Sequence, residues 1–322
     1  MFSFFNRIKK TPLVQSEYAG KCVSILREFK KPPYGGGNQF MLALKKGFED
    51  LGVTVVNNKI NKKIDAYIFD SAWLNKDLLK QLRKVKDPTI AHRIDGPIQL
   101  YRGSDSKADD EIFELNKEFA CVTIIQSEYT LKNLLKLKYQ PVNPVIIYNA
   151  VNPDIFYKSE GIVNPVGKIK IVSASWSDNP MKGAAIYKWL DDNLDFQKIE
   201  YTFVGRVKET LNNIKLVSPV DSHKLAEILR NHDIYITASE NDPCSNSLIE
   251  ALACGLPAVY RNSGGHPELV QKGGLPFDTP EQIPEQIEII CRDYQSFANN
   301  IKINSITDIA RQYLDAIFKK EK

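Results

Sequence analysis

Two carboxylates seven residues apart carry the clearest chemical signal in the sequence. In Ala238–Val270, ASENDPCSNSLIEALACGLPAVYRNSGGHPELV, Asp242 falls in a loop after a strand. Glu250 falls in the first turns of the helix that starts near Asn246. A loop of small residues at a helix N-terminus presents free N–H groups to an anion. Ser247-x-x-Glu250 also reads as a capping box, in which Glu250 would only close the helix start. The residues alone leave both readings open. Lys182-Gly183, in SASWSDNPMKGAAIYKWL, sits at another strand–helix turn, where the residues alone read as a solvated surface lysine. PPYGGGNQFMLALKKGFEDLG carries Gly35, Gly36 and Gly37, a flexible turn or a place where backbone approaches a ligand. His92, in AHRIDGP, is read at the end of a strand, as a structural histidine or a reacting one. Asp95, three residues on, is placed to orient His92 or to touch an acceptor.

These residues need a scaffold, and the pattern supplies one. Short β-branched runs alternate with amphipathic stretches: Cys22–Phe29, Val53–Asn57, Ala66–Asp70, Thr89–Ile94, Val122–Ser127 and Pro144–Asn149 in the first half. The alternation pauses at Val151–Lys168, a stretch with prolines, glycines and little periodicity that reads as a linker. It restarts at Lys168–Ser175 and continues through Glu200–Gly205, Lys215–Val220, Asp233–Ser239 and Pro257–Asn262. Strands alternating with helices mean βαβ units and parallel sheets. The expected fold is therefore α/β, with two Rossmann-like doubly wound parallel-sheet domains facing a central cleft. The expected boundaries are 1–155, 156–300, and a C-terminal helix in 301–322 that packs back on the first domain.

The segment from Asp242 resembles the retaining glycosyltransferases of family 4, the glycosyl transferases group 1, which have the GT-B fold. Their signature is an acidic residue, seven residues, then Glu-Ala-x-Ala-x-Gly-x-Pro. It stands here as Asp242, PCSNSLI, then Glu250-Ala251-Leu252-Ala253-Cys254-Gly255-Leu256-Pro257. The resemblance implies that Glu250 holds the ribose hydroxyls of a nucleotide sugar and that Asp242 faces the transferred sugar. It also implies that the backbone from Cys244 through Ser245, Asn246 and Ser247 to Leu248 contacts sugar and diphosphate. The family usually has Glu where Asp242 stands. Lys182-Gly183 matches the family's diphosphate-binding Lys-Gly, whereas the Arg that precedes it there is replaced by Trp176 or a neighbour. Arg206, after Gly205 in a strand-end turn that the family places near the nucleotide, is a candidate substitute. By the same resemblance Gly36 and Gly37 lie against sugar and phosphate, and His92 lies near the reacting sugar. Asn149-Ala150-Val151-Asn152 resembles the family's hinge motif and departs from it at two positions.

The implied reaction moves a sugar from a nucleotide donor to a glycan, lipid-linked or other hydroxyl acceptor, with same-face attack and retention. A nucleotide-sugar epimerase on the same fold, or a non-catalytic binder, stays open. No D-x-D, H-E-x-x-H, G-x-S-x-G or P-loop occurs, so no cofactor and no metal is expected. The net charge of +4 is too small an excess to argue for nucleic acid as a partner. Five cysteines without a C-x-x-C fit a reducing compartment. The start, MFSFFNRIKK, lacks the order of a secretory signal, so a cytoplasmic chain is expected. The lysine-rich helical stretches Lys76–Lys86 and Leu131–Lys138 are either core-docked with a solvated face or in peripheral contact with an anionic membrane.

Overall fold

A computed structural model describes residues 16–31, 35–71, 75–159 and 164–319. The N-terminal decapeptide read for a signal, residues 32–34 before the glycines, and residues 160–163 of the linker lie outside the described residues.

Among the described residues the chain forms twelve strands, eleven of them on the β-branched runs. The first six are β1 (Cys22–Ile25), β2 (Thr54–Asn57), β3 (Ala66–Asp70), β4 (Ile90–Ile94), β5 (Val122–Ile125) and β6 (Pro144–Ile146). They pair in the order β2-β1-β3-β4-β5-β6, every pair parallel. The second six are β7 (Ile169–Ser175), β8 (Ile199–Gly205), β9 (Lys215–Val217), β10 (Ile234–Thr237), β11 (Ala258–Arg261) and β12 (Gly274–Phe277). Their order is β12-β11-β10-β7-β8-β9, again all parallel. Most strands are a few residues shorter than the hydrophobic runs suggest, because the last residues of each run turn into the loop that follows. The strand β12, GLPF, was not expected. It sits at the sheet edge, where a proline costs no ladder bond.

In each sheet the strand order reverses once, between β1 and β3 in the first and between β7 and β10 in the second. Ligands in such sheets bind beyond the carboxyl ends of the strands at that reversal. The loops there begin at Leu26 and Ser71 in the first domain and at Trp176 and Ala238 in the second. They carry most of the residues singled out above. The helix Ile306–Phe318 returns to the first domain. Its Ile309, Ala310 and Tyr313 are buried in the same cluster as Val23, Phe40 and Met41. The chain thus passes between domains twice. Among the described residues, no helix is long and apolar enough to cross a membrane.

Candidate active site

A cavity of about 1000 Å³ lies between the two sheets, lined from both domains. Its second-domain wall is built from the loops after β7 and β10. The loop after β7 ends in a short turn, Pro180–Lys182. Lys182 Nζ donates to Asp242 Oδ2 at 2.7 Å, so two residues expected to serve diphosphate and sugar separately meet directly. Burial would raise the Asp242 pKa, but Lys182 and His266 outweigh it and hold the carboxyl below its ordinary range. The Cys244 N–H adds a bond to Asp242 Oδ1 at 3.3 Å. Burial pushes the Cys244 thiol up to about 12, so it is no nucleophile at neutral pH.

Ser245 is the N-cap of the helix Asn246–Ala253, and its side chain makes no capping bond. The first-turn amides of a helix have no intrahelical acceptor. Here they face a cavity lined by Ser245, Asn246 and Ser247. The Leu248 side chain points into the second-domain core instead, so only its backbone is available to a ligand. The capping-box reading of Ser247 and Glu250 fails on geometry. The cap is Ser245, and Glu250 lies in the second turn, out of the box position.

Glu250 is 6% exposed and lines the cavity. Among the described residues no cation or hydrogen-bond donor reaches its carboxylate, and burial pushes its pKa up to about 8. A buried, unpaired carboxyl is costly to ionise, which is why it holds its proton. Hydroxyl groups brought by a ligand would supply the missing donors.

Gly205 lines the cavity at the end of β8. Arg206 does not line it directly. Its guanidinium stacks over the Trp176 ring at 4.3 Å and donates to the Trp176 carbonyl at 2.9 Å. Trp176 itself lines the cleft, so a cation stands beside the position where the resembled signature has its arginine.

The first-domain wall holds Gly36 and Gly37 at the start of the helix Gly36–Asp50. A Cβ on Gly36 would lie 2.5 Å from Asn246 Cβ, so glycine lets the two helix starts touch across the cleft. Gly37 faces open space. Asp95 also lines the cleft. It accepts from Arg93, and from Gln126 Nε2 at 2.9 Å. Burial opposes its charge, but Arg93 and Arg27 prevail and keep it ionised. Behind it, fully buried Arg93 also bonds Gln126 Oε1 at 2.7 Å and Asn149 Oδ1 at 3.1 Å, and Arg27 pairs with Asp70.

His92 is a correction. It lies in the middle of β4, fully buried, and does not line the cleft. Nε2 meets the Ser71 carbonyl at 2.9 Å, Nδ1 meets Asn116 at 3.1 Å, and the ring stacks on Phe69. Burial pushes its pKa down to about 4. Successive strand residues point to opposite faces; Arg93 and Asp95 take the side toward Gln126 and the cleft, and His92 takes the other. Arg27, Gln126 and Asn149 belong to the site and were not singled out. Only Asn149 carried a signal, through the hinge-like motif.

The sequence profile described as glycosyl transferases group 1 matches residues 201–307, which include Asp242 and Glu250. The likeness to that family is thus carried by this segment of the second domain, and the two facing sheets have the GT-B fold. Spore coat protein SA of Bacillus subtilis is 30% identical over 108 residues, covering 31% of this chain. The match spans only 28% of the length of that curated relative. Sucrose-phosphate synthase from Thermosynechococcus elongatus superposes with a TM-score of 0.67 at 15% identity, over 92% of this chain and 95% of that one. Anabaena HepE in complex with UDP-glucose superposes with a TM-score of 0.63 at 14% identity, over 92% and 95%.

Proposed function

We propose that the chain is a retaining glycosyltransferase that moves a sugar, of hexose type, from a nucleotide donor to a hydroxyl acceptor. The observation that carries this reading is Glu250: a buried carboxyl with no donor, opening on a cleft of about 1000 Å³. The donor's ribose hydroxyls would supply two hydrogen bonds to it. The uncapped amides of the helix Asn246–Ala253, Lys182 and Arg206 would take the diphosphate. Asp242 would turn toward the sugar as the phosphate draws Lys182 away. The bond from the anomeric carbon to the diphosphate breaks, and the leaving oxygens gain charge where these donors stand. The acceptor oxygen attacks the same face, and its proton passes to a donor phosphate oxygen. Asp95, ionised and partly exposed, would hold the acceptor.

UDP is the base to test first, since the similar HepE fold was solved with UDP-glucose. We take the reaction to need no metal. Lys182 and the first-turn amides of the helix Asn246–Ala253 would meet the charge of the diphosphate instead. The acceptor is a glycan or a lipid-linked sugar, as in polysaccharide assembly at the cytoplasmic membrane face. The helix Glu128–Lys136 favours membrane contact, with Lys132, Lys136 and Leu135 exposed and no acidic partner for either lysine among the described residues. Arg83, by contrast, is tied to Glu118 at 2.6 Å.

The test is a panel of nucleotide sugars read by calorimetry, followed by sugar transfer with and without EDTA. Donor binding and transfer that survives chelation support the reading. A protein that binds no nucleotide in the panel refutes it, and activity restored only by Mn or Mg refutes the metal-free form.

A further inference from the structure

Glu268 belongs to the second domain, on the short helix His266–Val270, yet every side-chain bond it makes reaches residues outside that domain's core. Its Oε2 accepts the Glu128 N–H at 2.8 Å and its Oε1 accepts the Tyr129 N–H at 2.8 Å. The Tyr148 hydroxyl, in the segment that joins the domains, donates to Oε2 at 2.8 Å. Glu128 and Tyr129 open the first-domain helix Glu128–Lys136. Its own N-cap, Ser127, accepts the Thr130 N–H at 3.2 Å and bonds Thr130 Oγ1 at 2.8 Å, reaching neither the Glu128 nor the Tyr129 N–H. Two orphan amides of one domain are thus satisfied by a carboxylate of the other, at the positive end of the helix dipole. Hydrogen bonds to a charged acceptor are roughly twice as strong as neutral ones.

The contact is tied to the chemistry. Gly265 N–H donates to the Asp242 carbonyl at 2.9 Å. A Cβ on Gly264 would lie 2.3 Å from that oxygen, so this turn packs directly on Asp242. Beside it, the Tyr129 hydroxyl donates to Asn241 Oδ1 at 2.7 Å. Asn241 has a left-handed φ of 53°, with its N–H held by Ser263 Oγ at 2.9 Å. The first-domain helix is therefore coupled to the Asp242 loop at two adjoining points.

We propose that Glu268 is a positioning residue: it clasps the first-domain helix Glu128–Lys136 to the turn beneath Asp242 and so fixes the angle between the domains at which the cleft works. The consequence for turnover rests on the function proposed above; the clasp itself does not. It touches neither donor nor acceptor. It sets where the acceptor wall stands relative to Asp242.

The experiment is solution scattering of the full chain without nucleotide, comparing parent, Glu268→Gln and Tyr148→Phe. UDP affinity and turnover of UDP-glucose are measured on the same samples. Glu268→Gln should give a larger radius of gyration, and Tyr148→Phe, which removes one of three bonds, a smaller change in the same direction. UDP affinity should stay within about twofold while turnover falls roughly tenfold or more, a split that lost folding would not produce. Superimposable scattering profiles for parent and both variants would overturn the clasp whatever the turnover. A parent that binds no UDP or UDP-glucose while Glu268→Gln still expands would keep the clasp and sink the UDP reading.

Discussion

The two walls of the cleft handle charge in opposite ways. On the first-domain wall the buried ionised groups hold one another: Arg27 pairs with Asp70, and Arg93 with Asp95, tied further to Gln126 and Asn149. On the second-domain wall Glu250 has no such partner among the described residues, Ser245 leaves a helix start uncapped, and Lys182 pairs with Asp242. A wall whose buried charges are paired is a surface against which something can be positioned, although Arg27 Nε, Asp70 Oδ1 and Arg93 Nε within it have no hydrogen-bond partner. A wall with needs unmet gains most when a ligand brings hydroxyls and phosphates. The contrast supports the proposal that the nucleotide sits on the second domain and the acceptor on the first.

The first-domain network is the part that breaks most expensively. Arg93→Ala would leave Asp70 and Asp95 buried or half-buried without their shared cation. Losing one partner of a buried pair costs about 3–5 kcal/mol. Denaturant unfolding checks this, and a loss under about 1 kcal/mol would mean the wall is not held by charge.

Glu250 should do the reverse. Its pKa is raised from 4.5 to about 8 on folding. Between those values the folded chain holds a proton that the unfolded chain has lost, so stability falls as pH rises through the window. Glu250→Gln removes that dependence. The variant should match the parent near pH 4.5 and exceed it at pH 8 by on the order of 3 kcal/mol. Equal melting behaviour at both pH values would contradict the buried, unpaired carboxyl.

Asp242→Asn separates sugar from nucleotide on the same wall. Turnover should fall roughly tenfold or more while UDP affinity changes by less than about threefold, as steady-state kinetics and calorimetry on one sample would show. Smallest is the effect of His92→Gln. With both ring nitrogens bound inside the first domain, its loss should cost stability of about 1–3 kcal/mol and leave turnover within roughly twofold. A large fall in turnover at unchanged stability would return His92 to the site.

The same contrast explains what the sequence makes legible. The core of the second wall is contiguous: Asp242, the small-residue loop and Glu250 fall within nine positions, with Lys182 and Gly205 joining from other loops. The first wall is gathered from Arg27, Asp70, Arg93, Gln126 and Asn149, five separate segments, and no local pattern announces it. The parity of β4 is illegible for a related reason. Its five residues are all buried, and parallel strands covered on both faces show no polar alternation. Reading His92 as a site residue is therefore an error of strand face that hydropathy cannot correct, since it is Arg93, one residue on, that turns toward Asp95 and Gln126. The parallel sheets themselves are legible from β-branched runs, except β12, whose Gly274 and Pro276 hide an edge strand.

The central claim is that Glu250 waits for the donor's hydroxyls, and calorimetry at pH 7 tests it most directly. UDP would be titrated into parent and Glu250→Gln in two buffers of different ionisation enthalpy. A carboxyl with a pKa of about 8 in the free protein must shed its proton to accept two hydroxyls as a carboxylate. The parent should therefore release close to one proton on binding UDP. Glu250→Gln should release none and bind roughly tenfold more weakly or worse, since about 1.4 kcal/mol is a factor of ten. Equal affinity in both proteins, with no proton released by the parent, would contradict the account.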